Sequence, residues 1–451
     1  MAHLIAAVAT GTQSAAIGII RMTGDGVFAA LDKVFHAHCG KAAAEFENRK
    51  LMLGTLHDAD GAVLDQVLAT VSRGPHSYTG EDTAELQCHG SPAVLAAGLD
   101  ALFAAGARQA QPGEFTKRAF LNGCLDLSQA EAVIDLIEAK TVSAARNAAG
   151  QLGGALGAKL DPIYSDITDI LAHFHAVLDY PDEDIEDFRL ARFRETFAAC
   201  RQTLSRLEAT AKRGQILKNG IRAVILGSPN AGKSSLLNAL AGYERVIVTD
   251  VPGTTRDTVE ETLKIGDHLV RLTDTAGIRE TSDAIEEMGV QRSLAAAEDA
   301  QLAIFVCDGA KPLTEEDEIA MAQALKAPHA IGVINKSDLA CVVERLPFAA
   351  TVTLSAKTGQ GMEALEKAVD DLLRDAEADT GSILTNSRQV ACIRAAGEAL
   401  DRVLEALDLG LTPDAVLTDA EDALQQLGLV TGKTMREEVV GRIFERFCVG
   451  K

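Results

Sequence analysis

Apolar and polar positions divide the chain into three differently patterned regions. Up to about residue 117, short β-rich runs alternate with turns. Val8 precedes Thr10-Gly11-Thr12, and Ala16 to Met22 forms a second apolar run. Leu51-Met52-Leu53 and Val67 to Val71 flank Asp60-Gly61, a hairpin signal. Pro92 to Ala105 reads as a helix, and Pro112-Gly113 closes the region, which predicts an α+β domain. From Phe115 the period becomes helical. Ser128 followed by Glu131 predicts a capping box, and Val133, Ile134 and Ile137 form an apolar stripe. A second helical run passes through Ile163, Ile167 and Leu171 and breaks at Tyr180-Pro181; a third covers about Arg192 to Gly214.

Between about Ile221 and Leu373 the pattern is strand then helix, repeatedly. Strands are expected at Ala223 to Leu226, Val270 to Thr273, Leu302 to Val306, Ile331 to Ile334 and Val352 to Leu354, which predicts a parallel sheet wrapped by helices. After Gly381 the helical period returns through Val390 to Leu407 and Ala420 to Phe447. Two helical blocks around one α/β unit predict an insertion, since the ends of compact domains often lie close together. The expected fold is multidomain: an α+β domain over 1–117, an all-α helical domain over 118–216 and 381–451, and an inserted α/β P-loop domain over 217–380.

Composition narrows the partners. The 451 residues are 47% apolar and 24% charged, which excludes a disordered or fibrous chain. The net charge of −22 repels a bare phosphate backbone, so any nucleic acid is expected to be held by a local patch or a more basic partner. With 4 Tyr and no Trp, stacking platforms for single strands are not expected. No apolar run is long enough to predict a membrane span, and Met1-Ala2-His3-Leu4 lacks signal-peptide features, so a cytoplasmic protein is expected. Eight scattered cysteines without a C-x-x-C pair read as reduced thiols. His36-Ala37-His38-Cys39 lacks a second ligand pair at zinc spacing. The acidic run Asp182, Glu183, Asp184, Glu186 and Asp187 reads as a solvated interhelical turn.

Five short motifs carry chemistry. Gly227-Ser228-Pro229-Asn230-Ala231-Gly232-Lys233-Ser234 satisfies G-x-x-x-x-G-K-[ST] between an expected strand and the helix Ser235 to Ala241. Its N–H groups curl around phosphates, Lys233 reaches the β- and γ-phosphates, and the Ser234 hydroxyl suits Mg²⁺. Asn335-Lys336-Ser337-Asp338 follows another strand, and its Asp can accept both N1–H and the 2-amino group of guanine, which adenine does not offer. Ser355-Ala356-Lys357 follows the next, where a backbone N–H could meet the guanine oxygen. GTP is therefore preferred over ATP. Asp274-Thr275-Ala276-Gly277 supplies a carboxylate behind Mg²⁺ and a Gly N–H for the γ-phosphate, while Thr254-Thr255-Arg256-Asp257 offers Thr255 to the metal. The position after Gly277, often a water-orienting Gln, is Ile278. Arg279, Glu280, Glu286 and Glu287 are the nearby candidates to assist hydrolysis instead.

These motifs, with Gly253-Thr254-Thr255-Arg256-Asp257, the blocks Thr79-Gly80-Glu81-Asp82 and Phe115 to Glu131, and the terminal Cys448-Val449-Gly450-Lys451, resemble the MnmE (TrmE) family of tRNA-modification GTPases over essentially the whole length. The resemblance implies an N-terminal tetrahydrofolate-binding domain, a helical domain and an inserted G domain in a homodimer. It implies nucleotide contacts from Asn230, Ala231, Gly232, Lys233, Ser234 and Ser235, from Thr249, Asp250, Val251, Pro252, Gly253, Thr254 and Thr255, and from the guanine motifs. Asn230 matches a potassium ligand, with backbone oxygens of Thr249, Val251 and Thr254. A monovalent cation there neutralises developing charge as an arginine finger would. Glu286 matches a catalytic Glu that positions the attacking water through a second water.

The resemblance also implies a flavin-bearing partner, MnmG, that supplies most of the tRNA contacts and joins the homodimer in a heterotetramer. Together they would add an aminomethyl or carboxymethylaminomethyl group to the wobble uridine, with 5-formyl-tetrahydrofolate or a related folate as one-carbon donor. Arg21, Glu85 and Lys451 match folate contacts, Arg21 and Lys451 suiting the glutamate carboxylates and Glu85 the amino-pyrimidine. A further contact, usually Lys, aligns with Cys124, whose thiol cannot make it; weaker folate binding is expected unless Lys117 or Arg118 substitutes. Read alone, Cys448 better suits packing under the last helix; the resemblance makes it a candidate nucleophile or acid near the folate. A ribosome-associated GTPase switch and an independent one-carbon transferase in the first domain are the alternatives.

Overall fold

The computed structural model describes residues 3–11, 13–179, 187–243, 261–272, 300–373, 381–434, 442–445 and 447–450. The chain forms two compact units, one of Met1–Ile134, Leu156–Leu190 and Glu405–Lys451, the other of Asp135–Ala155 and Ala191–Leu404.

In the first unit, strands whose side chains alternate between core and solvent close around a hydrophobic face. The strands β1 (Ile5–Val8), β2 (Ala15–Thr23), β3 (Phe35–Ala37), β4 (Met52–His57), β5 (Val63–Ser72), β6 (Thr83–Gly90) and β7 (Arg108–Gln109) form one sheet in the order β3-β4-β5-β6-β2-β1-β7. All pairs are antiparallel except β1 with β7. Ile20, Met22, Leu56, Val67 and Leu86 pack under Val27 and Leu31 of α1 (Val27–Val34) and Leu95 and Leu102 of α2 (Pro92–Ala104). A fully buried aliphatic side chain of this kind contributes about 1.5–3 kcal/mol. The Asp60-Gly61 signal becomes the β4–β5 turn, held by Asp58 Oδ1, which accepts from the N–H groups of Asp60 (3.0 Å) and Ala62 (2.8 Å). The helices α3 (Glu114–Leu121), α4 (Leu127–Ile137), α6 (Ala155–Asp179) and α13 (Pro413–Thr431) belong wholly or mostly to this unit.

Three expectations on the helices change. The box that opens α4 is Asp126 with Gln129, not Ser128 with Glu131. Asp126 Oδ1 accepts from Gln129 N–H (2.8 Å), and Gln129 Oε1 accepts from Asp126 N–H (2.9 Å). Ser128 lies inside the helix, fully buried, and donates to Asp126 Oδ1 at 2.6 Å. Asp outcompetes Ser here because an ionised acceptor suits the orphan N–H groups and the positive end of the helix. The run from Arg192 to Gly214 is two helices, α7 (Asp187–Ala209) and α8 (Ala211–Asn219). Thr210 separates them: its hydroxyl donates to Leu207 O (2.7 Å) and accepts from Leu384 N–H (3.1 Å). The last run breaks at Thr431, where Gly432 caps α13; residues 442–444 are helical again, and 435–441 lie outside the described residues. The acidic run 182–186 lies outside the described residues.

In the second unit, β8 (Ile221–Leu226), β9 (Glu261–Ile265), β10 (His268–Leu272), β11 (Leu302–Asp308), β12 (His329–Asn335) and β13 (Ala350–Thr353) make a sheet in the order β13-β12-β11-β8-β10-β9. It is parallel apart from β9, which pairs antiparallel with β10 across the tight turn Gly266-Asp267. The expected all-parallel sheet thus gains one antiparallel edge, because two turn residues are too few for a crossover. Helices α9 (Lys233–Tyr243), α10 (Glu315–Ala324) and α11 (Met362–Leu373) cover the sheet. The strand interiors are near-continuous apolar runs, as burial on both faces requires. Helices α5 (Val142–Leu152), α7, α8 and α12 (Ser387–Asp408) complete the unit. Asn147 and Gln151 of α5 donate to the Ile383 carbonyl at 3.1 and 2.6 Å.

Candidate functional site

The carboxyl ends of β8, β11, β12 and β13 lie side by side, where open α/β sheets bind ligands. The loop 227–232 leaves the central strand β8 there and enters α9 at Lys233. Asn230 adopts φ 63°, a left-handed conformation that Asn tolerates better than most residues. Gly232, at φ 96°, permits something more specific: a Cβ would collide with the side-chain nitrogen of Asn335.

Asn335 joins three motifs. It is 2% exposed, its Nδ2 donates to Ala231 O (3.0 Å), and its Oδ1 accepts from Ala356 N–H (3.0 Å). One buried amide thus ties the phosphate loop to the Ser355 loop, using a donor and an acceptor that no other side chain of this size offers together. Lys336, also left-handed at φ 64°, donates to Asn230 O (2.9 Å) and pairs with Asp308 Oδ2 (2.7 Å). Asp338 is exposed, and its Oδ1 accepts from the Ser355 hydroxyl (2.7 Å). That bond, then its own backbone N–H and the charges of Lys357 and Lys336, hold its carboxyl below the usual range. The Ser355 N–H donates to Gln360 O within its own loop, and the Ala356 N–H to Asn335.

Lys233 Nζ donates to Gly227 O and Ser228 O, both at 2.8 Å, and so spans the mouth of the loop. Behind the loop, Asp317 Oδ1 receives Ser228 N–H at 3.4 Å, while Oδ2 accepts from the Thr314 N–H (3.0 Å) and hydroxyl (2.8 Å) in the capping box of α10. Burial would raise the Asp317 carboxyl, but these hydrogen bonds outweigh it and hold it low. Asp308 and Asp317 were absent from the sequence reading. Thr314-x-x-Asp317 was visible as a capping signature; Asp308, one residue past an apolar strand, carried no signal. Thr249 to Thr255, Asp274 to Gly277, Ile278 and Glu286 lie outside the described residues.

The first unit assembles a second group. Arg21 on β2 faces Glu85 on β6 in register, Nε to Oε1 2.6 Å. The Arg21 guanidinium lies 5.8 Å from the Tyr78 ring centroid and 5.9 Å from that of Phe115. The Tyr78 hydroxyl meets Thr116 Oγ1 at 2.9 Å, and burial pushes its pKa up. Cys124 is exposed beside Gly80, on a loop fixed by Asn122 Nδ2 to Thr79 O (2.7 Å). Arg118 is committed elsewhere, to Glu81 (2.9 Å), Glu114 (2.9 Å) and His3 O (2.8 Å). Cys448 is exposed, and its carbonyl accepts from Gly113 N–H (3.2 Å), two residues before Phe115. Lys451 lies outside the described residues. Among the described residues no three His, Cys, Asp or Glu side chains gather as a metal centre would need.

Residues 4–124 match the family described as GTP-binding protein TrmE N-terminus, and residues 127–448 the MnmE helical domain. A tRNA modification GTPase MnmE of Thermus thermophilus is 41% identical over 449 residues, covering 99% of both chains. Those of Symbiobacterium thermophilum and Clostridioides difficile are 41% and 38% identical, again over 99% of both chains. No helix among the described residues is long and apolar enough to cross a membrane. With both family segments matched in order along the full length, and the phosphate loop and guanine motif joined by one buried side chain, the chain belongs to the MnmE family of tRNA modification GTPases.

Proposed function

We propose that this GTPase acts in adding an aminomethyl or carboxymethylaminomethyl group at C5 of the tRNA wobble uridine, as a homodimer working with the flavin-bearing MnmG. Residues 1–117 would bind a tetrahydrofolate and dimerise, 118–216 and 381–451 would form the helical domain, and 217–380 the G domain. The observation that carries the nucleotide assignment is Asn335, whose two hydrogen bonds tie the phosphate loop to the Ser355 loop.

Within that site each residue has a task. The loop N–H groups and Lys233 would bind the phosphates, and Ser234, Thr255 and, through water, Asp274 would hold a Mg²⁺. The ionised, exposed Asp338 accepts from guanine. Bound there, Mg²⁺ and K⁺ would supply positive charge against the negative charge that develops on the phosphates. Asn230, whose backbone is pinned by Lys336, would present its side chain to K⁺ with the oxygens of Thr249, Val251 and Thr254. Glu286 would orient the attacking water in place of the Gln that Ile278 does not provide.

The donor set of the first unit also fits its cofactor. Arg21 suits a carboxylate, Glu85 an amino-pyrimidine, and the partly exposed Tyr78 ring an aromatic face. Lys451 would complete the charge. Cys124 provides no cation and Arg118 is engaged by Glu81 and Glu114, so folate binding weaker than with a Lys at that position is expected unless Lys117 substitutes. Cys448 would act near the one-carbon unit.

Steady-state GTP hydrolysis in potassium and in sodium tests the core of this reading. Potassium should accelerate the native protein at least tenfold over sodium, and Asn230→Ala should abolish the difference. Equal rates in the two salts would remove the potassium-dependent pairing of G domains.

A further inference from the structure

Asp308 lies outside every nucleotide motif of the sequence, yet it sits one contact away from the phosphate loop. It ends β11 directly opposite Asn335 in the parallel register, which sets its carboxylate beside Lys336, the next residue along. Oδ2 takes the Lys336 ammonium at 2.7 Å, and Oδ1 accepts from Ala310 N–H at 3.0 Å. Lys336 in turn donates to Asn230 O at 2.9 Å. We propose that Asp308 is a positioning residue for nucleotide binding, holding Lys336 so that its ammonium pins the Asn230 carbonyl and keeps the phosphate loop formed.

Three physical points carry the argument. A lysine ammonium on four rotatable bonds loses considerable freedom when fixed, and one carbonyl acceptor is a weak anchor for it. A carboxylate acceptor turns that anchor into a charge-assisted bond and orients the remaining hydrogens. Asn230 sits at φ 63°, less common than the right-handed region even for Asn, and the Lys336 bond to its carbonyl helps to hold it there. The Asp308 side chain is 14% exposed and that of Lys336 32%, so water competes only partly with the pair. Burial alone would raise the Asp308 carboxyl; the Lys336 ammonium and the Ala310 N–H outweigh it, which keeps it ionised at neutral pH.

The inference rests on the nucleotide-site assignment, and a double-mutant cycle separates the two. Binding of a fluorescent GDP analogue and GTP hydrolysis would be measured for the full-length chain and for Asp308→Ala, Lys336→Met and the double variant. Asp308→Ala should raise Kd for the analogue roughly tenfold, mainly through faster release, and raise KM for GTP with kcat within about twofold. In the Lys336→Met background the Asp308 change should cost nothing further. Asp308→Glu should recover part of the loss, and the isosteric Asp308→Asn should repeat the Ala result if the Ala variant does not fold. Native affinity in Asp308→Ala, or additive losses in the double variant, would overturn the inference. Absence of binding by the unaltered chain would instead overturn the site assignment beneath it.

Discussion

Asn335 concentrates at one residue what the nucleotide motifs spread over 130. Because it is buried and uses both ends of its amide, truncation leaves Ala231 O and Ala356 N–H without their partner. Asn335→Ala should therefore destabilise the second unit by about 1–3 kcal/mol and weaken guanine nucleotide binding by at least tenfold. Thermal melting and a GDP titration check the two halves, and unchanged affinity at reduced stability would reduce Asn335 to a packing residue. The identity of Asn335 could be read from N-K-x-D, but its role as a bridge could not. A bridge needs the positions of Ala231 and Ala356, which adjacency in the sheet supplies and spacing along the chain does not. The same limit hid Asp308, whose strand simply ends in a carboxylate.

Between elements, two carboxylates settle geometry that periodicity leaves open. Glu114 opens α3 and takes Arg108 through both oxygens (2.9 and 2.6 Å), Arg118 (2.9 Å) and the Gln111 N–H (2.9 Å). Burial would raise its pKa, but these bonds bring it down to about 2. A carboxyl lowered in the folded state adds stability that is fully present above its unfolded pKa near 4.5 and is lost as pH falls towards 2. Glu114→Gln should thus be less stable at pH 7 and lose less further stability on acidification from pH 5 to 2, as paired melting curves would show; parallel curves would deny the coupling. Asp267 does comparable work at the amino end of α5, accepting from Val142 N–H (2.8 Å), Ser143 N–H (2.9 Å) and the Ser143 hydroxyl. Asp267→Ala should cost about 1 kcal/mol, the ordinary loss of a helix cap, and amide exchange at 142–144 should rise with it. The expected box at Ser128 failed for a related reason: several side chains near a helix start suit its N–H groups, and the tertiary path of the chain selects one.

Over the whole molecule, the chain's end returns to its beginning within the first unit. Cys448 O meets Gly113, Phe444 and Phe447 stack at 4.9 Å between ring centroids, and Gly450 lies against the Val8 carbonyl. At φ 94° with no room for a Cβ, Gly450 is fixed by both conformation and space. Gly450→Val should lower the melting temperature of the first unit while leaving GDP affinity unchanged; a native melting profile would mean that the tail docks more loosely than described. The order α+β, helical, α/β, helical was legible because each region writes a different hydrophobic period into the chain, and the phosphate loop and guanine motif were legible because phosphate and guanine chemistry fix residue types at short spacings. The tertiary structure alone decided which carboxylates stand behind the phosphate loop, which residue caps each helix, that β9 folds back as an antiparallel edge, and that Arg21 pairs with Glu85 over Tyr78 and Phe115. Those are contacts between residues far apart in the chain, and a pattern of local periods holds no record of which distant partner a side chain will meet.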